Sequence, residues 1–166
     1  GYKHPRFDIS DAGDTEYIGS GRVNGTILNQ FSISEYEGHI RVATTTGQWN
    51  QWWLDNPEPM SSQVVVLEQE IQSDQSIQYV EIGSVVGIAP TERIWSCRFV
   101  EEKAYIVTFR NIDPLWTIDL SDPSNPVIMG ELEIPGVSTY IHPLSEDRLL
   151  TIGYGPGENG LDLDWR

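Results

Sequence analysis

Internal repetition is the feature that most constrains the fold of this 166-residue chain. The segment DISDAGDTEYIGSGRVNG, residues 8–25, recurs without a gap as DLSDPSNPVIMGELEIPG, residues 119–136, so that Asp8 coincides with Asp119. A less regular third copy, VVVLEQEIQSDQSIQYVEIGSVVG, covers residues 64–87. Each copy has a β-rich segment, a turn rich in Asp, Ser, Pro, Asn or Gln, a second β-rich segment and a closing glycine. The pattern predicts three copies of one type of β-hairpin.

A second type of hairpin follows each copy of the first. Its copies are FSISEYEGHIRVATTTG, IWSCRFVEEKAYIVTFR and TYIHPLSEDRLLTIGYG. Gly, Pro and β-branched residues interrupt every window in which a long amphipathic helix would fit. Two alternating hairpin types, repeated about every 50 residues, are typical of the four-stranded blades of a β-propeller. We therefore predict an all-β chain of four-stranded antiparallel blades. The strands of each blade are labelled A to D, from the central channel outward.

The repeat boundaries divide the chain into about two full and two half blades. Residues 1–25 form a C–D half blade, 26–87 a full blade with an insertion at 47–63, 88–136 a second full blade, and 137–166 an A–B half blade with the start of the next strand. This is material for about three blades, whereas closed propellers use about four to eight. Because open arrays leave strand edges exposed, we expect the chain to be part of a larger propeller. The alternative is that two copies share half blades and close one six-bladed ring.

The amino-acid sequences of the repeats are similar to those of a known family. LNQFSISEYEGHIRVATTTG, APTERIWSCRFVEEKAYIVTFRNIDPLWTIDLSDPSNPVIMGELEIPG and the following YIHPL resemble the secreted bacterial and archaeal β-propeller domain family, which is distantly related to WD repeats. The resemblance extends from about Tyr2 to Gly155. LWTIDLSDPSNPVIMGELEIPG is also similar to the LVIVD-type repeat of bacterial cell-surface proteins. The resemblance implies an exported protein, located extracellularly, in the periplasm or at the cell surface, with no established reaction.

The insertion QWNQWWLDNPEPMSSQ departs from the family pattern and supplies the candidate ligand-binding residues. Trp49, Trp52 and Trp53 lie in a polar, proline-containing loop, the type of segment that carries function on a rigid scaffold. Indole rings in such a loop stack on sugars or anchor a protein partner. The alternative is that the loop folds back and buries the three rings against its own blade.

Aspartates in the first hairpin form the best-looking candidate metal site. Asp8, Asp11 and Asp14 recur at three-residue spacing, and oxygen-rich loops hold calcium. However, the spacing does not match the EF-hand calcium-loop pattern, and Asp8 and Asp11 have counterparts at Asp119 and Asp122. We therefore predict that these carboxylates bind backbone amides of the C–D turn. Calcium remains the alternative, and neither a metal nor a cofactor is expected.

Composition narrows the possible partners. The formal charge is −15, with 10 basic and 25 acidic residues and no basic block, so a nucleic-acid partner is not expected. No apolar run has the length of a membrane span. The single cysteine, Cys97, lies in the apolar run RIWSCRFV and is predicted to be a buried small hydrophobe.

Signals for catalysis are weak in this sequence. No nucleophile elbow of the G-x-S-x-G type is present, and the three histidines lack metal-ligand spacing. His142 ends an A strand, where its ring either lines the channel mouth or is a structural side chain. Arg98, Arg110 and Asp113 are predicted to form an ion-pair network that organises one blade. No catalytic residue is assigned.

The sequence favours a non-enzymatic scaffold that binds a protein or a polysaccharide at the cell surface. Two alternatives remain open. One is an extracellular hydrolase or lyase with its site at the channel mouth, and the other is a structural subunit of an extracellular assembly. Whether the protein is an enzyme is left undecided.

Overall fold

Strands dominate the described part of the chain. The computed structural model describes residues 2–11, 13–47, 59–109, 113–134, 136–156 and 163–165. Within these ranges there is one 3-10 turn, Gln30–Ser32, and no helix is long and apolar enough to span a membrane. The strands are β1 (Tyr2–Asp8), β2 (Glu16–Val23), β3 (Ile33–Tyr36), β4 (His39–Thr46), β5 (Ser61–Ile71), β6 (Ile77–Ile88), β7 (Arg93–Val100), β8 (Lys103–Phe109), β9 (Asp113–Asp119), β10 (Val127–Ile134), β11 (Val137–Ser145), β12 (Arg148–Pro156) and β13 (Leu163–Trp165).

These strands form the blades of a partial β-propeller, which confirms the predicted fold class. The first full blade is β3–β4–β5–β6 and the second is β7–β8–β9–β10, each antiparallel and in chain order. The first half blade is the hairpin β1–β2. The last half blade is β11–β12, with β13 on the outer side of β12. Strand β5 begins at Ser61, inside the stretch 47–63.

The sequence of β5 reflects its position between two neighbouring blades. Val64 and Val66 face the second full blade, whereas Val65 and Leu67 face the first half blade. All four side chains are buried. Because both faces of the strand are covered, apolar residues follow one another without the alternation of a strand that has one wet face. The continuous run VVVL is thus explained by packing on both sides.

Two apolar clusters fill the spaces between adjacent blades. The larger joins the first full blade, through residues such as Ala43 and Ile88, to Ile106, Ile118 and Leu120 of the second. Cys97 belongs to this cluster and is 3% exposed, which confirms the prediction that it is a buried small hydrophobe. Burial raises the pKa of its thiol to about 12. The hydrophobic core of this molecule therefore lies between the faces of neighbouring blades.

Glycines allow the first half blade to approach the first full blade. Strand β2 pairs in parallel with β6 through Gly19–Gly21 and Ile77–Tyr79. A Cβ atom on Gly19 would lie 2.6 Å from the carbonyl oxygen of Ile77, and one on Gly21 would lie 2.8 Å from the Cβ atom of Tyr79. Any larger residue would push these two neighbouring strands of the six-stranded sheet β1–β2–β6–β5–β4–β3 apart. The glycines of the repeat therefore serve contact between blades as well as turns.

The aspartates of the C–D turns bind backbone amides, as predicted. Asp8 Oδ1 accepts from the amide of Ser10 at 2.8 Å, and Asp119 Oδ1 accepts from the amide of Ser121 at 2.9 Å. These amide contacts are the main reason that the pKa of each carboxyl is lowered. The equivalent bonds made by Asp11 and Asp122 are 2.8 Å and 3.0 Å long. Both copies of the hairpin thus use the same turn chemistry.

Candidate functional site

The inner edges of three successive blades meet at a small aromatic cluster. Phe31 lies in the 3-10 turn at the entrance to β3, and Tyr140 lies on β11 of the last half blade. Their ring centroids are 5.6 Å apart at an angle of 65°, an edge-to-face contact. Because this contact spans the second full blade between them, the A strands must come together on one side of the molecule. This is the arrangement expected around a propeller channel.

Arg98 of β7 lies within this aromatic contact. Its guanidinium carbon is 4.0 Å from the Phe31 ring centroid and 5.2 Å from that of Tyr140. Its Nε donates to the carbonyl oxygen of Ile141 at 2.9 Å. Its two terminal nitrogens make no hydrogen bond to another residue within the described ranges. A half-buried guanidinium held between two rings can bind a carboxylate or a carbonyl of a ligand.

His142 extends the cluster toward solvent. Its exposed ring stacks on Tyr140, with centroids 6.1 Å apart and an interplanar angle of 29°. The Tyr140 hydroxyl and His142 Nδ1 are 3.2 Å apart, within hydrogen-bond distance. We define the inner cluster as Phe31, Arg98, Tyr140 and His142.

Local sequence explains how these side chains are positioned. Asn29 caps the 3-10 turn, since its side-chain oxygen accepts from the amide of Phe31 at 2.9 Å and fixes the start of that turn. On β11, Ile141 is 1% exposed and points into the core. Side chains alternate along a strand, so Tyr140 and His142 point to the opposite face. The inner cluster is therefore built from rigid strand and turn positions.

Guanidinium groups stacked on aromatic rings recur at the other blade junctions. Arg6 of the first half blade lies 5.7 Å from the Tyr79 ring centroid and pairs with Glu35 at 2.8 Å. Arg41 of the first full blade stacks on Tyr36 and on Phe99 of the next blade, at 5.0 Å and 5.1 Å. The contacts of Arg6 with Tyr79 and of Arg41 with Phe99 join neighbouring blades, whereas the contact of Arg41 with Tyr36 lies within the first full blade. Arg98 thus shares a structural role with Arg6 and Arg41.

Arg41 differs from Arg98 in its burial. It is 4% exposed and donates to the carbonyl oxygen of Glu101 and to Ser34 Oγ, while its Nε has no hydrogen-bond partner among the described residues. Burial is the main cause of the lowered pKa of Arg41. A cavity of about 20 Å³ beside it has room for one water. Arg41 therefore clamps two blades, whereas Arg98 of the inner cluster is only half-buried and His142 is exposed.

The inner cluster presents groups that stack and that make polar contacts. Aromatic faces stack on flat or sugar rings, and the guanidinium and imidazole supply polar contacts. General acid–base work on a polymer usually needs a carboxylate pair or a histidine oriented by a carboxylate. In the described portion of the chain, no group of three or more His, Cys, Asp and Glu side chains is arranged to hold a metal ion.

Several residues singled out from the sequence lie outside the described ranges. Trp49, Trp52 and Trp53 are among them, so their role stays a prediction. Arg110 and the side chain of Asp113 are also outside, and the ion-pair network predicted with Arg98 is untested. The contacts that are described for Arg98 lead to neighbouring blades.

Phe31 and Tyr140 were not anticipated from the sequence, although a signal was available. When the A–B hairpins are aligned on their turns, Phe31, Trp95 and Tyr140 occupy the same position, so an aromatic is repeated on strand A or directly before it. Trp95 instead packs edge-on against Phe109 and under Arg93, with centroid distances of 5.6 Å and 4.6 Å. An aromatic repeated on the innermost strand indicates channel-facing rings more specifically than composition does.

Comparison with known proteins agrees with this architecture. Residues 4–163 match the family described as "Beta propeller domain". The chain belongs to this β-propeller domain family. An uncharacterized protein of Methanocaldococcus jannaschii is 41% identical over 147 residues, and one of Archaeoglobus fulgidus is 38% identical over 148 residues. Each match covers 89% of this chain but 21% of the relative. No solved structure matches this β-propeller chain significantly.

Proposed function

We propose that this β-propeller is exported and acts as a binding or assembly scaffold at the cell surface. The observation that carries the proposal is the inner cluster, where two aromatic rings and a half-buried guanidinium lie beside an exposed imidazole. Such a surface favours stacking and hydrogen bonding over bond cleavage. The resemblance to secreted propellers supports an extracellular, periplasmic or cell-surface location.

The ligand that best fits the inner cluster is a short stretch of polysaccharide or an extended protein segment. Both offer flat faces for Phe31 and Tyr140, and both carry carbonyl or carboxylate oxygens for Arg98. The charge of −15 opposes long-range attraction of polyanions, so contact at the cluster has to supply the affinity. The tryptophan loop at 47–63 is proposed as a second contact surface.

Binding is tested by titrating the protein with a panel of neutral and carboxylated oligosaccharides and with protein extracted from the cell envelope. The Phe31→Ala, Tyr140→Ala double variant is expected to weaken binding at least about tenfold, since stacked rings dominate such contacts. Arg93→Ala is the control, because it removes a contact between a guanidinium and an aromatic ring, that of Trp95, outside the inner cluster. Equal affinity of the double variant and the wild type would contradict a role for the cluster.

The tryptophan loop has its own test. Replacing Trp49, Trp52 and Trp53 together with alanine is expected to abolish ligand binding and to leave Tm unchanged if the rings are exposed anchors. A large loss of Tm would instead favour rings that pack against their own blade.

Location is tested by treating intact cells with a protease and probing for the protein. Digestion without lysis is the expected result. Protection that disappears only after lysis of the inner membrane would contradict export.

An enzymatic role is kept as the alternative because of one contact, the 3.2 Å approach of the Tyr140 hydroxyl to His142 Nδ1. If this pair acts on an extracellular polymer, His142→Ala should remove cleavage while preserving binding. No cleavage of any bound polymer by the wild type would leave the scaffold as the function.

A further inference from the structure

The first half blade exposes apolar residues at positions where the second full blade buries them. Phe7 is 52% exposed, whereas its repeat counterpart Ile118 is 0% exposed. Ile9 is 74% exposed, whereas its counterpart Leu120 is 4% exposed. Leu120 is held by a bond from its amide to the carbonyl oxygen of Glu102, next to strand B. Among the described strands, β1 has β2 as its one neighbour, so it lacks the strand B that covers β9.

The last half blade also exposes apolar residues, in this case on its strand B. Ile152 of β12 is 46% exposed. Val107 and Ala43, at the same B-strand position counted from the A–B turn, are both 0% exposed. Leu150 is also 46% exposed. β13 pairs with residues 154–156 of β12 and leaves the part that carries Leu150 and Ile152 without a described outer neighbour.

A third apolar surface lies on β10, the outer strand of the second full blade. Met129 and Leu132 are each 60% exposed. When the copies are aligned on their closing glycines, Leu132 corresponds to Gly83 of the first full blade. A Cβ atom added to Gly83 would lie 2.4 Å from the carbonyl oxygen of Pro123, which is in the C–D turn of the next blade. This strand position therefore receives the C–D hairpin of the following blade. For β10, that hairpin belongs to the last half blade.

We infer that these three surfaces are blade-completing interfaces, filled by strands of the same repeat from the polypeptide that flanks residues 1–166. An A–B hairpin pairs with β1 and covers Phe7 and Ile9. A C–D hairpin pairs with β12, covers Ile152, and packs against Met129 and Leu132 of β10. The described chain is then an arc of a larger closed ring, and the inference does not depend on the ligand proposed above.

Two observations favour flanking chain over a second copy as the occupant. The position of strand C beside β12 is already entered by β13 of the same chain, which a second copy would have to displace. The chain also spans about a fifth of the length of the curated relatives that it matches, and those relatives hold ample residues for further blades. Closing the arc on itself would give about three blades, below the usual range of about four to eight.

Thiol reactivity in the full-length protein tests the inference. Ile9→Cys and Ile152→Cys are compared with Ile71→Cys, a matched control at a position that is 69% exposed and lies at the end of a completed blade's strand C. The native Cys97 is 3% exposed and contributes little background. We expect the thiols at 9 and 152 to react about 100-fold more slowly than the thiol at 71, because a paired strand must open before reagent enters.

Methionine oxidation of the unsubstituted full-length protein gives a second readout if a cysteine variant fails to fold. The chain has two methionines, of which Met60 is 8% exposed and Met129 is 60% exposed. We expect peroxide to oxidise both slowly in the full-length protein, and Met129 much faster in residues 1–166 alone. Reaction of position 9 as fast as position 71, or rapid oxidation of Met129 in the full-length protein, would overturn the inference. Protection of residues 1–166 alone that is lost on dilution would overturn it in favour of a second copy.

Discussion

The hairpins β1–β2 and β9–β10 share one repeat but have different surroundings. Their turns are alike, since Asp8 and Asp119 accept from the amides of Ser10 and Ser121 at 2.8 Å and 2.9 Å. Their C strands are not alike in burial, because β9 has β8 beside it and packs on the first full blade. The comparison teaches that the repeat encodes the hairpin locally, while its core is supplied by the neighbouring strands and blades.

The largest expected contrast is between Ile118→Ala and Phe7→Ala in residues 1–166. Ile118 is fully buried in the cluster between the full blades, so its truncation should cost about 2–5 kcal/mol of unfolding free energy. Phe7 is 52% exposed, and its truncation should cost less than about 1 kcal/mol. Urea denaturation measures both values. Equal losses would show that the hairpin β1–β2 is packed like the hairpin β9–β10.

A second contrast compares two glycines of the D strands. A Cβ atom on Gly83 would meet backbone atoms of Pro123 and Ser124 at 2.4–2.7 Å, whereas one on Gly130 has nothing within 4 Å. Gly83→Ala should therefore cost about 1–3 kcal/mol, since neither backbone can give way without repacking. Gly130→Ala serves as the control and should change stability by less than about 0.5 kcal/mol. A similar cost for both would contradict the close approach of the blades at Gly83.

A third contrast concerns a hydrogen-bond chain that the first hairpin lacks. The buried Thr108 hydroxyl donates to Glu92 Oε2 at 2.7 Å and accepts from Trp116 Nε1 at 3.1 Å. Pro5 takes the position of Trp116 in the first copy. Thr108→Val should cost about 1–3 kcal/mol, because two polar groups lose their partner. Thr151→Val, at an exposed position of β12, is the control and should be nearly neutral. Equal effects would show that these hydrogen bonds of Thr108 do not stabilise the blade.

The smallest expected effect concerns the turn that both hairpins share. The lowered pKa of Asp119 means that its carboxylate stabilises the fold above its ordinary pKa of 3.8, and that this contribution is lost as the pH falls below about 4. Asp119→Asn keeps the acceptor but removes the charge, so Tm should fall less steeply with acid than in the wild type. Asp119→Ala also removes the acceptor and should lower Tm at pH 7 by about 1–3 °C. Thermal scans between pH 2 and 7 measure these slopes, and identical slopes for the asparagine variant and the wild type would contradict the effect.

Much of the fold was predictable because its determinants are local. Turn residues such as Asp8 and Asp119 bind amides two positions away, and the two hairpin types are written in contiguous segments. The fold class and the turn chemistry followed from these patterns. The burial of Cys97 followed from the apolar run around it.

The inner cluster was not predictable in the same way. Arg98, Phe31 and Tyr140 come from three blades, and their contacts depend on how the blades pack rather than on neighbours in sequence. Ring positions repeated in strand A were visible, yet Trp95 at the same position packs elsewhere. Non-local packing therefore decides which members of a repeat form the site.

Hydrogen exchange at Ile9 and Leu120 tests the central claim most directly, because these residues hold one repeat position in two different surroundings. In residues 1–166, we predict that the amide of Ile9 exchanges rapidly and that of Leu120, bonded to Glu102, exchanges slowly. In the full-length protein, the account predicts slow exchange at both amides. Rapid exchange at Ile9 in the full-length protein would contradict it.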